Sequence, residues 1–562
     1  MFHLHAVDLF IIGFYFVFVL GVGFYLKRFT KSGEDFFLAG RNQTAWIAGI
    51  SFIAANMGAL ELMGWSAAAY QYGMLAVHWY WIGAIPAILF LAIFMMPFYH
   101  VSRVHSVPGY LKLRYGEPAR VLSAATFVVM TLLASGISMY SMGLVLESFL
   151  GWDFDTAVLI TAATVCAYVT MAGLTSAIFN EIVQFCLIWA GALLIPIMGM
   201  IEVGGWDKLV QKVTERAAAL TAPGAPVLDR MHIWSTMASG ADNPMGMHWL
   251  GIVFGLCFVI SAGYWTGDFL VVQRLLTTKD VRAAKTAPVI GSYFKMLIPL
   301  VVILPGLIGF ALIPGLQPAS TGVSPAESYN AVLPLLMQRY LGPGMLGLGM
   351  LALIAGFMSG MAGNVSAFAT VWTYDIYRSL IKKDAPDKHY LNMGRWCTVI
   401  GVGISIATTY IVMHFNSIMD YMQALFSFFI APLFATLLLG MFWRRTTGKA
   451  GFWGLLSGMG TAIGIFLATR FGLLDPRYVT LSDTASTMAL NMWQAAWSFV
   501  VNFIVTVVVS LLTKPRPIGE LAGLVYGASA IPHEGPSPWY RRPAFWASVS
   551  FTIFIALNII FW

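Results

Sequence analysis

The stretch AWIAGISFIAANMGALELMGWSAAAY, residues 45–70, decides the fold. It is long and apolar enough to cross a bilayer, because about 20 helical residues span the roughly 30 Å of hydrocarbon. Yet its middle holds Asn56, Gly58 and Glu61, where a helix facing only lipid would keep Leu or Val. An ionised Glu at a helix centre costs about 2.5 kcal/mol or more on insertion scales, so it needs a cavity, a partner or a proton. A Glu hydrogen-bonded inside a bundle as structural glue would meet that need. The Asn-Met-Gly just before it favours local unwinding and a functional site instead.

The rest of the chain has the same solvent. Of 562 residues, 59% are hydrophobic and 10% charged, too few charges for the water-facing surface of several soluble domains. About fourteen apolar runs follow one another, near 6–26, 45–70, 74–99, 121–150, 156–173, 178–202, 246–273, 287–314, 342–376, 391–414, 418–441, 450–470, 487–513 and 543–562. Lipid offers backbone amides no partner, so each run is expected to be a helix. The short alternating segments of a transmembrane barrel are not seen. The expected class is an all-α polytopic membrane protein, with residues 1–562 forming one transmembrane domain.

The net charge of +7 reads as topology, not as affinity for nucleic acid. Of 32 Lys and Arg, 24 fall in loops 27–41, 103–120, 274–285, 378–395, 444–449 and 514–542, all on one side of an alternating helix path. By the positive-inside rule those loops are cytoplasmic, which puts both termini outside the cytoplasm in a multi-pass protein of the plasma membrane. Cys166, Cys186, Cys257 and Cys397 lie inside runs without paired spacing, so neither disulfides nor a zinc site are expected. Asp8 precedes the first run and no basic n-region does, so that run is expected to be a retained helix. The hydrophilic stretches 203–245 and 514–542 are too short for a catalytic domain; the first is expected outside, as a short helix or lid.

A second run is interrupted like the first. GIVFGLCFVISAGYWTGDFLVVQR, residues 251–274, carries Ser261, Gly263, Gly267 and Asp268 among its apolar residues. Two interrupted runs five helices apart point to an inverted-repeat transporter, whose unwound backbone holds solute and coupling ions near mid-membrane. Lys295, in SYFKMLIPLVVILPG, reads equally as a stem snorkelling to the interface or as a functional charge. Gln423, in DYMQALFSFF, and Ser359, in AGFMSGMAGN, are by themselves more often helix-packing devices than ligands.

Six motifs then occur in one order: DFFLAGRN at 35–42, SVPGYLKLRYG at 106–116, AGLTSAIFNEIVQ at 172–184, VQRLLTTKD at 272–280, VWTYDIYR at 371–378 and MFWRRTTGKAGFWG at 441–454. Together they resemble the sodium/solute symporter family over essentially the whole chain. The resemblance implies a LeuT-like fold of two inverted five-helix repeats, at 45–202 and 246–441, with two discontinuous helices. Helices 6–26, 450–470, 487–513 and 543–562 would be peripheral. It also implies a sodium site between the second and ninth runs, formed by the carbonyls of Ala54, Met57 and Gly356 and the Ser359 hydroxyl. The family usually places a second hydroxyl next; this chain has Gly360, so water or another group would have to replace that ligand. Glu181 stands where the family's signature commonly has Asp, and by resemblance is a cytoplasmic-side acid on the ion's exit path. The plainer reading is an ordinary acid at a helix N-terminus.

Within the family, glucose/galactose-type members are the most similar in helix count and site chemistry. Asn56, Lys295 and Gln423 coincide with polar sugar-contacting positions, and Tyr264 and Trp265 with aromatics that flank or gate the ring. Glu61, Tyr80 and Gly83 stand where those carriers have Gln, Glu and Ser, and Ser261 replaces an Asn. Sugars suit such a site because hydroxyls need directed partners while ring faces stack on aromatics. Glu61 and Lys295, if they share a cavity, form a buried pair that a solute hydroxyl bridges or along which a proton moves.

The expected function is secondary active symport of a small polar solute, a sugar or sugar-like polyol, by alternating access with Na+ as coupling ion. H+ is the alternative ion, and an organic acid, amino acid or other metabolite the alternative solute. No Walker-type glycine loop supports direct ATP use, no repeated filter-like segment supports a channel, and the ten histidines lack the ligand spacing of an intramembrane enzyme.

Overall fold

The computed structural model describes residues 5–27, 39–102, 106–237, 240–321, 323, 327–528 and 537–562. Arg28, Lys31 and Arg103 of the basic loops, and residues 35–38 of the DFFLAGRN motif, lie outside the described residues. Regular structure within them is helical, with two isolated bridges, Gln43 to Thr278 and Gln317 to Ser328.

Among the described residues ten helices are long and apolar enough to cross a membrane, eleven if the bent pair Gly251–Gly267 and Phe269–Leu275 is one span. The difference from fourteen runs has local causes. Runs 156–173 and 178–202 join in the helix Phe154–Ala192, continued by Leu194–Val203. No proline separates them, and a lone Gly173 costs a helix only about 1 kcal/mol. Run 74–99 follows Ala59–Tyr72 without a loop, through 3-10, π and α turns as far as Val101. The junction is Gly73, whose φ of +67° breaks the helix and suits glycine. Run 6–26 forms the helix Ala6–Lys27, whose apolar stretch is the shorter Ala6–Val19, and run 45–70 is divided between the short helix Ala45–Ala54 and Ala59–Tyr72.

Both interrupted runs are broken where their polar residues stand. Thr44 caps Ala45–Ala54 by accepting the Ile47 amide. After Ala54 the chain turns through Asn56 and Met57 to an extended Gly58, which starts Ala59–Tyr72. In the other run, Asp268 is extended between Ala262–Gly267 and Phe269–Leu275, which meet at 52°. Its carboxylate accepts the Leu270 amide at 2.9 Å, capping the downstream half.

Two groups of helices meet at these breaks. Met345–Val371 packs on Glu117–Leu150, Phe154–Ala192 and Asp387–Thr409, while the halves of the first broken run pack on Val281–Leu297 and Pro299–Leu312. The groups approach most closely at Gly356. A Cβ there would lie 3.0 Å from the Ala59 amide nitrogen and 3.3 Å from the Met57 carbonyl oxygen, so a side chain would push the backbone of the break aside, and glycine lets the two cross closely.

Three basic residues read as loop charges are buried instead. Arg114 donates to the carbonyls of Gly440, Thr446 and Trp443 at 2.7, 2.9 and 3.1 Å. Arg120 is buried beside Glu117, and Arg274 pairs with Glu181. The guanidinium groups of Arg114 and Arg274 fix neighbouring segments together, a use of charge that a loop count does not register.

The segment 203–245 forms a helix, Trp206–Leu220, and a clamp. Arg216 donates to the Tyr70 hydroxyl and the Ile313 carbonyl, both at 2.9 Å, with its guanidinium 4.6 Å from the Phe310 ring centre. Arg230 lies 4.5 Å from the same ring and donates to the Gln71 carbonyl at 2.6 Å. The clamp ties the end of Ala59–Tyr72 to the end of Pro299–Leu312.

Candidate solute and ion site

Glu61 stands one turn below the first break, where its carboxylate is shared by three donors. Lys295 reaches it at 2.6 Å and the Tyr80 hydroxyl at 2.9 Å, both on one oxygen; the Trp65 indole donates to the other at 3.1 Å. Lys295 does not snorkel. It is 3% exposed, its ammonium also donates to the Asn56 amide oxygen, and it lies 4.7 Å from the Tyr80 ring and 5.1 Å from Trp265. Asn56 in turn donates to the Tyr264 hydroxyl at 2.8 Å. A continuous polar chain therefore runs from Tyr80 through Glu61, Lys295 and Asn56 to Tyr264. Two charges taken from water need such bonds on every side, because desolvation otherwise outweighs their attraction.

These residues line one cavity of about 70 Å³ together with Trp65, Trp79, Ser261, Trp265 and Gln423. The Gln423 amide oxygen and the Trp79 indole N–H are buried there without a hydrogen-bond partner. Buried polar atoms in that condition are costly, and here they face the space a solute would enter. Aromatic faces supply the apolar walls: Trp65 against Trp79 at 4.8 Å, and Tyr264 against Phe426 at 5.0 Å.

Of the nine expected solute residues, Asn56, Glu61, Tyr80, Ser261, Tyr264, Trp265, Lys295 and Gln423 line the cavity, and Gly83 does not. Gly83 lies behind Ser261, whose hydroxyl would be 2.4 Å from a Cβ at position 83. It makes room for Ser261 rather than touching the cavity itself. Trp65 and Trp79 are the residues that sequence reasoning missed. The signal for Trp65 was its place four residues after Glu61, on the same helix face.

The expected ion ligands gather at the crossing of the first break and Met345–Val371. The Ser359 hydroxyl donates to the Ala54 carbonyl at 3.1 Å, and Gly356 lies against the Met57 carbonyl. Carbonyls and a hydroxyl are the oxygen donors that a small hard cation takes. Position 360 adds no oxygen. Glu181 is not at a helix N-terminus but far inside Phe154–Ala192, where it accepts from the Ser51 hydroxyl and pairs with Arg274 at 2.5 Å. It thereby links the first broken run to the segment downstream of the second.

Comparison with known proteins gives the family. The sequence model of the Sodium:solute symporter family matches residues 36–458. A sodium/mannose cotransporter of Bos taurus is 30% identical over 595 aligned positions, covering 100% of this chain and 97% of that protein. The sodium/glucose cotransporter of Vibrio parahaemolyticus is 26% identical over 501 positions, covering 87% of this chain and 90% of that protein. Among solved structures, a substrate-bound, outward-open Na+-coupled sialic acid symporter matches with a TM-score of 0.74 at 20% identity, over 91% of this chain and 99% of that one. That structure shares the fold. The chain is thus a transporter and not an enzyme, and it belongs to the Sodium:solute symporter family.

Proposed function

We propose that this protein is a Na+-coupled secondary active symporter of a hexose or similar polyol, working by alternating access between the two helix groups. The observation that carries the reading is the cavity around Glu61 and Lys295. It combines a neutral-sum ion pair, an unpartnered Gln423 amide and aromatic walls, the complement of an uncharged ring with many hydroxyls. The relatives named for mannose and glucose support the same class.

In this reading Asn56, Glu61, Lys295 and Gln423 bind solute hydroxyls, and Tyr80 holds Glu61. Trp265 and Tyr264 flank the ring, and Gly83 gives Ser261 its place. Ala54, Met57, Gly356 and Ser359 hold Na+, with Glu181 on its exit path. The fourteen runs form a LeuT-like pair of inverted repeats, 45–202 and 246–441, with four peripheral helices, in a plasma membrane with both termini outside the cytoplasm.

Purified protein in liposomes, given radiolabelled mannose, glucose, galactose and an organic acid with Na+ or choline at fixed pH, tests this. The expected result is saturable, Na+-dependent uptake of a hexose. Uptake confined to the acid, or uptake of hexose that follows a pH gradient without Na+, overturns it.

A further inference from the structure

A second cavity, about 50 Å³, adjoins the first; Asn56, Leu60, Tyr264, Met422 and Phe426 line both. Its polar wall comes from three separate elements: Ser138 on Glu117–Leu150, Asp268 at the second break, and Asn364 on Met345–Val371. Asp268 is 4% exposed, and the one hydrogen bond of its carboxylate among the described residues is the cap on the Leu270 amide. The nearest candidate counter-charge, Arg274, is committed to Glu181 at 2.5 Å and to the Leu270 carbonyl at 2.9 Å.

A carboxylate in a membrane interior costs several kcal/mol unless a cation or a proton neutralises it. Its neighbours in the cavity decide between the two. The side chains of Ser138 and Asn364 have no hydrogen-bond partner among the described residues, yet both line the space that Asp268 faces. Gly360 also lines that space, where a Cβ would sit in ordinary contact, 3.7 Å, with the Ser138 hydroxyl. A carboxylate, an amide carbonyl and a hydroxyl are hard oxygen donors, the ligand set of a small cation.

We propose that Asp268, Ser138 and Asn364 form a second Na+ site beside Tyr264, distinct from the carbonyl site of Ala54, Met57, Gly356 and Ser359. The inference rests on the Na+-symport reading, and adds a residue set and an ion to it. An ion there would lie next to the solute cavity, because the two spaces share a wall that includes Asn56 and Tyr264.

Radioactive Na+ binding to the purified full-length protein, without solute, reads the site directly. Asp268→Asn removes the charge while keeping an N-cap side chain, so the downstream half retains its start. Ser138→Ala leaves the charge and removes one ligand, and Ser359→Ala serves as the comparison at the other site. The expected result is one fewer Na+ per chain in Asp268→Asn, about tenfold or more weaker binding in Ser138→Ala, and a Hill coefficient for Na+-activated uptake falling from about 2 to about 1. Equal Na+ binding by the wild type, Asp268→Asn and Ser138→Ala overturns the proposal. So does uptake driven by a pH gradient without Na+ that Asp268→Asn abolishes, since Asp268 then holds a proton. Failure of the parent reading looks different: wild-type protein that neither binds Na+ nor takes up hexose with it.

Discussion

Replacing Glu61 by Gln isolates the charge in the solute cavity. Gln keeps the length of the side chain and its one oxygen can still accept from Tyr80 and Lys295, so what is lost is the counter-charge of an ammonium that is 3% exposed, together with the acceptor for the Trp65 indole. Removing one partner of a buried pair costs about 3–5 kcal/mol, because the other charge remains uncompensated. At about 1.36 kcal/mol per tenfold, that is roughly two to nearly four orders of magnitude in the fraction of protein holding this arrangement. The expected outcome is a lower unfolding temperature together with hexose uptake lost or no longer tied to Na+. Glu61→Gln combined with Lys295→Met removes both charges, and is expected to recover the unfolding temperature but not transport. Wild-type KM and Na+ dependence in the single variant would refute the reasoning, since the pair would then be a spectator.

Gly83→Ala places a methyl 2.4 Å from the Ser261 hydroxyl and is expected to destabilise by about 1–3 kcal/mol; adding Ser261→Gly should restore the unfolding temperature. Tyr264→Phe removes the 2.8 Å bond from Asn56, worth about 0.5–1.5 kcal/mol, and is expected to raise solute-free Na+ leak several-fold in flux measurements while leaving the unfolding temperature nearly unchanged. Arg216→Ala frees the Tyr70 hydroxyl and uncovers Phe310, a loss of about 1–2 kcal/mol; a cysteine placed at Gln71 should then react faster with an impermeant reagent from outside.

The breaks were legible because lipid tolerates few polar residues, so Asn56, Glu61 and Asp268 stood out against the apolar runs around them. Lys295 was ambiguous in sequence, as a long stem can snorkel; only the position of Glu61 shows that it stays inside. Ser138 gave no signal at all, since a serine in a helix usually bonds its own backbone, and only its place in the wall of the second cavity makes its hydroxyl available. Arg274 misled for a related reason. It follows an apolar run and precedes a basic loop, so it reads as topology, whereas its partner Glu181 lies 93 residues away in the chain. Contacts made across such distances, including the clamp of Arg216 on Tyr70, carry no periodicity for a linear reading to find.

The Tyr264 hydroxyl is held by Asn56, and Asn56 is held by Lys295. In the proposed reading Tyr264 is a gate between the two cavities, and the groups that hold it are the groups that would greet the cargo. An empty carrier would keep them satisfied by one another, with that gate shut. A hydroxyl arriving at Lys295 or Asn56 would compete for those bonds and loosen the hold by the act of docking. Slippage of ions without cargo would then be suppressed by chemistry rather than by timing, and the gradient would be spent only when there is something to carry.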